Sequence, residues 1–319
     1  FARAGCDLIV DHCLPDAEAY QHLAGLLAPL DVVWVRVTCP PAVRRERELA
    51  CGKHRVTEVL GLADEVFDGL PYDLHVDGTV DAERVAAEIL AFVEERPLRG
   101  RPLARVVPHS LPGRAATPGH VVLLVGPSSA GKSTLCRAVQ ELSPEPWLQM
   151  GIDTMIDFLD DKYIGIPRSA AEVQQFMPSP AARLGEFIVP AGPSPDNPHP
   201  FMMSQWGKVG RLGCSGLLAG IRAAAELGYH VISDQILFFQ DWHDELRAEL
   251  AQLPVTWVRL RIDLEALREH ERRRGDRLVG FAESQERQMF SQVNYDLVLD
   301  SGKLAPEEEA RAILAHLAR

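Results

Sequence analysis

The sequence predicts an α/β fold: a parallel sheet flanked by helices, preceded by a partial second copy of the same domain. Three observations carry that prediction. A run G-x-x-x-x-G-K-S stands between a short apolar strand and an amphipathic helix. Strand-like runs, several closed by an acid, alternate with helical patterns. Three segments near the start recur near the end at one constant offset.

Taken in order, residues 1–96 repeat the end of the chain. CDLIVD (Cys6 to Asp11) matches YHVISD (Tyr229 to Asp234), VWVRV (Val33 to Val37) matches TWVRL (Thr256 to Leu260), and YDLHVDG (Tyr72 to Gly78) matches YDLVLDSG (Tyr295 to Gly302). Asp11 and Asp234, Trp34 and Trp257, and Asp77 and Asp300 each stand 223 residues apart. One offset over such a length reads as duplication. Each copy reads strand, helix, strand, helix, helix, strand, helix. The first copy has no phosphate loop and starts where the second is half complete. In a P-loop NTPase of the kinase type the strand order is 2-3-1-4-5, with the loop-bearing strand between strands 3 and 4. Removing strands 1 and 2 leaves unpaired backbone groups facing a gap. Alternatively strands 3 and 4 close up and pair directly. Residues 1–96 thus read as the C-terminal half of a domain, and a chain that begins at Phe1 reads as a fragment.

Pro97 to Pro118 is the expected linker. It holds five prolines, four arginines and no acid, without apolar periodicity. Residues 119–319 are the expected complete domain. His120 to Val125 is a β-branched apolar run, as a buried strand requires. Gly126, Pro127, Ser128, Ser129, Ala130, Gly131, Lys132, Ser133 and Thr134 form the candidate nucleotide-binding loop. Glycines let its backbone N–H groups face one point, and the following helix adds a partial positive charge there. Lys132 reaches outer phosphates, and Ser133 offers a hydroxyl to Mg²⁺. Leu135, Ala138, Val139 and Leu142 follow at helical spacing.

WLQMGID (Trp147 to Asp153) reads as a strand ending in an acid, with a helix beginning at Thr154. Ligands in open parallel sheets gather at the C-terminal strand ends, which places Asp153 near a terminal phosphate. Ile164 to Pro200 is rich in proline and reads as a long irregular excursion. A helix over Leu217 to Leu227 leads into HVISD, where Asp234 closes a Walker-B-like strand and is a candidate Mg²⁺ ligand. Thr256 to Ile262 is the next strand. Leu264 to Arg277 is a helix whose end is dense in arginine: Arg268, Arg272, Arg273, Arg274 and Arg277. Such charge suits a lid over transferring phosphates, or a solvated helix face. The first copy has Leu49, Ala50 and Cys51 where the second has Arg272, Arg273 and Arg274, so only the second is equipped for catalysis. Pro306 and Glu307 to Glu309 open the last helix.

Composition narrows the function classes. Hydrophobic residues make up 46% of the 319, charged residues 24%, and the formal net charge is −12. These are the proportions of a globular protein, and the charge opposes a nucleic-acid or anionic-membrane surface. No run approaches the ~20 apolar residues of a membrane span, and no secretion leader is visible. The six scattered cysteines read as reduced thiols of a cytoplasmic protein, not as a zinc or disulfide framework.

The segments GPSSAGKS (126–133), PEPWLQMGIDTMID (144–157), the strand ending at Asp234, RGDRLVGFAESQ (274–285) and the Tyr295 to Asp300 segment resemble the chloramphenicol phosphotransferase family. The resemblance implies phosphoryl transfer from ATP, with Mg²⁺, to a hydroxyl of a small molecule. It implies that Asp153 takes the hydroxyl proton, that Arg274 and Arg277 are lid arginines, and that Asp300 to Gly302 border the adenine. From the residues alone Asp153 could instead hold Mg²⁺ through water or cap the helix before Thr154, and Asp157 caps or orients. The stretch between Leu159 and Gly216, expected to build the acceptor pocket, departs from the family pattern. Met202, Met203 and Trp206 there are pocket candidates or loop anchors. Two other readings stand beside the hydroxyl kinase: an ATP-binding regulatory module without transfer, and a nucleotide or metabolite kinase on the same scaffold.

Overall fold

The computed structural model describes residues 2, 7–11, 17–28, 30–51, 69–96, 117–166, 177–194, 197–275 and 278–318. The expected linker lies outside the described residues apart from Thr117 and Pro118. The chain divides into two compact units, one of residues 9–107 and one of residues 1–8 with 108–319.

The smaller unit contains helix α1 (Ala17–Leu27), strand β1 (Val35–Thr38), helix α2 (Pro41–Cys51), strand β2 (Leu74–Asp77) and helix α3 (Ala82–Glu95). β1 and β2 pair in parallel. Asp81 starts α3 by accepting from the N–H groups of Glu83 and Arg84, which satisfies two donors the first turn leaves open. The strand expected over Cys6 to Asp11 does not form in its described part. Residues 7–11 carry no strand, and Ile9 is 99% exposed. Among the described residues β1 pairs only with β2, so direct closure of this segment onto β1 is not formed. A strand is stable only where its backbone groups find a partner ladder, and local β-branched character does not supply one.

The larger unit runs β3 (Val121–Val125), α4 (Lys132–Leu142), β4 (Trp147–Gln149), α5 (Ile152–Ile156), β5 (Ile164–Gly165), β6 (Glu186–Ser194), β7 (Asn197–Trp206), α6 (Lys208–Glu226), β8 (His230–Gln235), α7 (Gln240–Glu249), β9 (Val255–Arg261), α8 (Leu264–Arg274), α9 (Phe281–Gln288), β10 (Leu297–Asp300) and α10 (Pro306–Leu317). Five strands form one parallel sheet in the order β10-β9-β3-β8-β4. Numbered within the unit, this is the expected 2-3-1-4-5. β3 is central and all five of its residues are buried. Val121, Leu123 and Val125 pack with Leu217 and Ile221 of α6 and Leu246 of α7. Val122 and Leu124 pack with Leu135 and Val139 of α4 and Ile313 of α10. Period-two alternation between two covered faces is why this strand is apolar throughout rather than half polar.

The units repeat each other in detail. Val35 pairs with Leu74 as Val258 pairs with Leu297. The Trp34 N–H donates to Asp73 Oδ2 at 2.8 Å, and the Trp257 N–H donates to Asp296 Oδ2 at 2.8 Å.

Several element bounds differ from the sequence reading, among them the helix expected over Leu264 to Arg277, which ends at Arg274. The helix expected from Leu217 begins at Lys208. The strand expected to end at Asp153 ends at Gln149, and the next helix starts at Ile152. The excursion expected to be irregular contains a β-hairpin: β6 and β7 pair antiparallel, with β5 parallel on the outer edge of β6. Its prolines sit where the ladder breaks register, between Pro190, Pro193 and Ser194. Proline lacks the N–H a regular ladder needs, so it is found at edges and irregularities. The hairpin docks on α9: the Met202 N–H donates to Ser284 Oγ at 3.2 Å, and the Ser204 N–H to Gln288 Oε1 at 3.2 Å.

Candidate functional site

The loop from Gly126 to Thr134 joins the C-terminal end of the central strand to α4. Gly131 is the N-cap and has φ 93°, a left-handed conformation that a side chain disfavours. Ser129 shares that region at φ 61° although it carries a side chain. Its hydroxyl is buried without a hydrogen-bond partner among the described residues. Strain combined with an orphaned polar atom marks a cradle built for a polar guest rather than for its own stability. The Lys132 ammonium is buried and donates to the carbonyls of Gly126 and Pro127, both at 2.8 Å. Ser133 and Thr134 lie exposed in the first turn of α4.

Asp234, near the end of β8, is 5% exposed. Burial pushes its pKa up; the Lys132 ammonium works against that rise and the Asp153 carboxylate adds to it. The nearby Gln149 side chain also favours its ionised form. Gly151 presses against this carboxylate so closely that a Cβ there would stand 1.7 Å from Asp234 Oδ1. The glycine is required by this approach and not by its backbone angles. Asp153 lies exposed in the first turn of α5. The N-cap is Gly151, so the capping role considered for Asp153 is not the one it takes. Asp157 occupies the C-cap position of that helix, where its backbone N–H donates to the Asp153 carbonyl at 3.1 Å.

To a divalent ion Ser133 offers a hydroxyl oxygen and Asp234 a carboxylate. Magnesium characteristically takes one or two protein oxygens and completes its shell with phosphate and water. The charge of such an ion would also relieve the cost of burying Asp234.

The arginines divide. Arg268 pairs with the buried Glu283 at 2.7 Å, so it holds α8 to α9. Arg272 and Arg273 pair with Glu269 on the surface of α8, at 2.7 and 2.9 Å. For these three the solvated or structural role replaces the lid expectation. Arg274 is exposed at the last turn of α8, before Gly275 ends the helix in a left-handed conformation. Arg277 lies outside the described residues.

Several residues that shape the site were not singled out by sequence reasoning. Gln285 of α9 accepts from the Ser128 N–H at 2.6 Å and so fixes one shoulder of the loop. His270 Nδ1 lies 3.3 Å from the Ser129 carbonyl oxygen. Arg259 reaches the Val125 carbonyl at 3.2 Å and grips Glu286 through two bonds of 2.6 and 2.7 Å. Beyond β8 lies a cavity of about 170 Å³ lined by Ile152, Trp206, Phe238, Phe239 and Trp242, with Arg211, Asp241, Ser215 and Glu245 around it. Trp206 was expected here. Met202 instead is buried with Ile188 and Phe281. The aromatic run that follows Asp234 was the available signal for the cavity.

A family model described as chloramphenicol phosphotransferase-like protein matches residues 1–94 and 119–318. The chain belongs to that family. It is a phosphotransferase of the P-loop kinase class. A Mycobacterium tuberculosis protein, named as a candidate O-phosphotransferase and present in two strains, is 28% identical over 212 residues, which is 66% of this chain and 88% of the relative. Among solved structures, an unliganded sugar kinase from Janibacter sp. is similar at 17% identity and a TM-score of 0.41, over 63% of this chain and 95% of that one. A gluconokinase from Sinorhizobium meliloti is similar at 17% identity and a TM-score of 0.39, over 63% and 93%. No helix among the described residues is long and apolar enough to cross a membrane.

Proposed function

We propose that residues 119–319 transfer the terminal phosphoryl group of ATP to a hydroxyl of a small molecule, chloramphenicol or a similarly hydroxylated compound. Residues 1–96 are then a partial repeat of that domain, joined through residues 97–118. What carries the reading is a convergence at the C-terminal end of the sheet. A strained phosphate loop, a buried lysine and two electrostatically coupled carboxylates meet there beside an aromatic cavity.

The chemistry assigns a role to each group. Loop N–H groups from Gly126 to Thr134 and the Lys132 ammonium hold and neutralise phosphate oxygens. Mg²⁺, when bound by Ser133 and Asp234, supplies further positive charge against those oxygens. Asp153 is solvent-facing and can receive a hydroxyl proton. The acceptor oxygen forms a bond to the γ-phosphorus and the bond from that phosphorus to the bridging oxygen breaks. ADP leaves, and the proton goes to the Asp153 carboxylate. Arg274 and Arg277, flanking the Gly275 turn, offset charge on the transferring group.

The test is ADP release by the full chain with Mg·ATP, with and without chloramphenicol. The expected result is acceptor-dependent release that disappears in Lys132→Ala. Asp153→Asn should lower kcat by about 10²–10⁴-fold while ATP binding persists. If Asp153→Asn keeps the parent's acceptor-dependent release, the base assignment fails; if the parent binds ATP and transfers to no acceptor, the regulatory-module reading replaces the kinase. If ATP binds but chloramphenicol gives no stimulation, chloramphenicol is not the acceptor.

A further inference from the structure

The cavity beside Asp153 is selective in its charge as well as its shape. Trp206, Phe238, Phe239 and Trp242 give it aromatic walls. Three charged side chains stand on its lining: Arg211, Asp241 and Glu245. Two of them cancel, because Arg211 Nη1 pairs with Asp241 Oδ2 at 2.8 Å. The Arg211 guanidinium also rests over the Phe239 ring, 5.6 Å from its centroid. The Glu245 partner shown is neutral, the Ser215 hydroxyl, which donates to Oε1 at 2.8 Å. The lining therefore carries one carboxylate charge that no described cation offsets, among rings whose negative faces also favour cations.

Size sets a second limit. At about 170 Å³ the cavity is close to the volume that encloses one benzene ring. Ile152 of α5 lines it, and Asp153, the next residue of that helix, lies outside the lining.

We propose that this pocket recognises a single-ring amino alcohol, its protonated amine held by Glu245 and the aromatic walls and its hydroxyl being the group the transfer reading requires. This deepens the phosphotransferase reading above and rests on it for the transfer step. The recognition itself depends only on the pocket.

Three probes share one ring and one benzylic hydroxyl: 2-amino-1-phenylethanol (cationic), 1-phenyl-1-propanol (neutral) and mandelate (anionic). Their binding to the full chain, measured by calorimetry with Mg²⁺ and a non-hydrolysable ATP analogue, reads recognition without turnover. The amine should bind about tenfold more tightly than the neutral alcohol, and mandelate most weakly. Glu245→Gln keeps an acceptor for Ser215 while removing the charge. It should cut amine affinity about fivefold and leave the neutral alcohol unchanged. Equal or tighter binding of the neutral or anionic probe overturns the proposal. So does an amine preference that survives in Glu245→Gln, or the absence of any probe binding while the nucleotide analogue binds. A parallel turnover assay with ATP separates the two claims. Selective amine binding without phosphorylation sustains the pocket assignment and defeats the transfer reading. Phosphorylated chloramphenicol without an amine preference does the reverse.

Discussion

Gly151→Ala isolates the contact that positions Asp234. The backbone at Gly151 is extended, φ −119° and ψ 174°, so alanine meets no dihedral penalty there. What it meets is the carboxylate. The new Cβ would lie 1.7 Å from Oδ1, 2.5 Å from Cγ and 3.1 Å from Oδ2 of Asp234. The whole group must swing by more than about an ångström to restore van der Waals separation. It has little room to do so, being 5% exposed. Overpacking of this kind costs about 1–3 kcal/mol. A cost near 2 kcal/mol lowers Tm by roughly 4–8 °C in a unit of this size. Scanning calorimetry reads that fall, and the Mg²⁺ dependence of ADP release reads the displaced acid. The double variant Gly151→Ala with Asp234→Ala removes the clash and should recover most of the lost stability. A Gly151→Ala protein that melts within about 1 °C of the parent, with the same Mg²⁺ dependence, would show that Asp234 is not held where the site needs it.

Two further outcomes follow from single buried groups. Glu309 is 2% exposed, and burial lifts its pKa from the ordinary 4.5 to about 7. A raised folded-state pKa gives stability that is complete below the unfolded value and is lost as pH rises through about 7. Glu309→Gln mimics the protonated form, so it should stabilise the fold at pH 8 by up to about 3 kcal/mol and leave it unchanged near pH 4, measured as urea midpoints. Gln285→Leu leaves the Ser128 N–H buried without its acceptor, which costs about 1–3 kcal/mol. Its Tm should fall by a few degrees and its ATP affinity should weaken, and an unchanged nucleotide affinity would remove Gln285 from the support of the loop.

The parts of the site that rest on short-range chemistry were legible in the sequence. The phosphate loop declares itself because its spacing and flanking elements are local, and Asp234 is marked by four mostly apolar residues before one acid. The strand order was legible only through the kinase class that the phosphate loop announces, and the burial of Val121 to Val125 on both faces agrees with the central place that order gives them. Groups that act across elements were not legible. Gln285 lies 157 positions from the Ser128 it supports. Arg268 looked free for a lid until α9 brought Glu283 to it. The hairpin was hidden by its own composition, because prolines at register breaks read locally as the absence of a strand.

The two copies separate what a segment encodes from what its neighbours supply. β1–β2 keeps the register of β9–β10 and the same tryptophan–aspartate bond, because those contacts lie within the repeated segment. Leu8 and Ile9 correspond at the same offset to Val231 and Ile232. The first pair is 50% and 99% exposed; the second is fully buried and laddered to Val121 and Val122. Val37 is 62% exposed where its counterpart Leu260 is fully buried. The side chains are nearly equivalent, so the difference lies in their partners: β8 and β9 are laddered on either side of the loop-bearing β3. That strand completes the sheet and delivers the phosphate loop to its end. Within residues 119–319 the burial of β8 and β9 and the placing of the loop thus depend on the same five residues, Val121 to Val125.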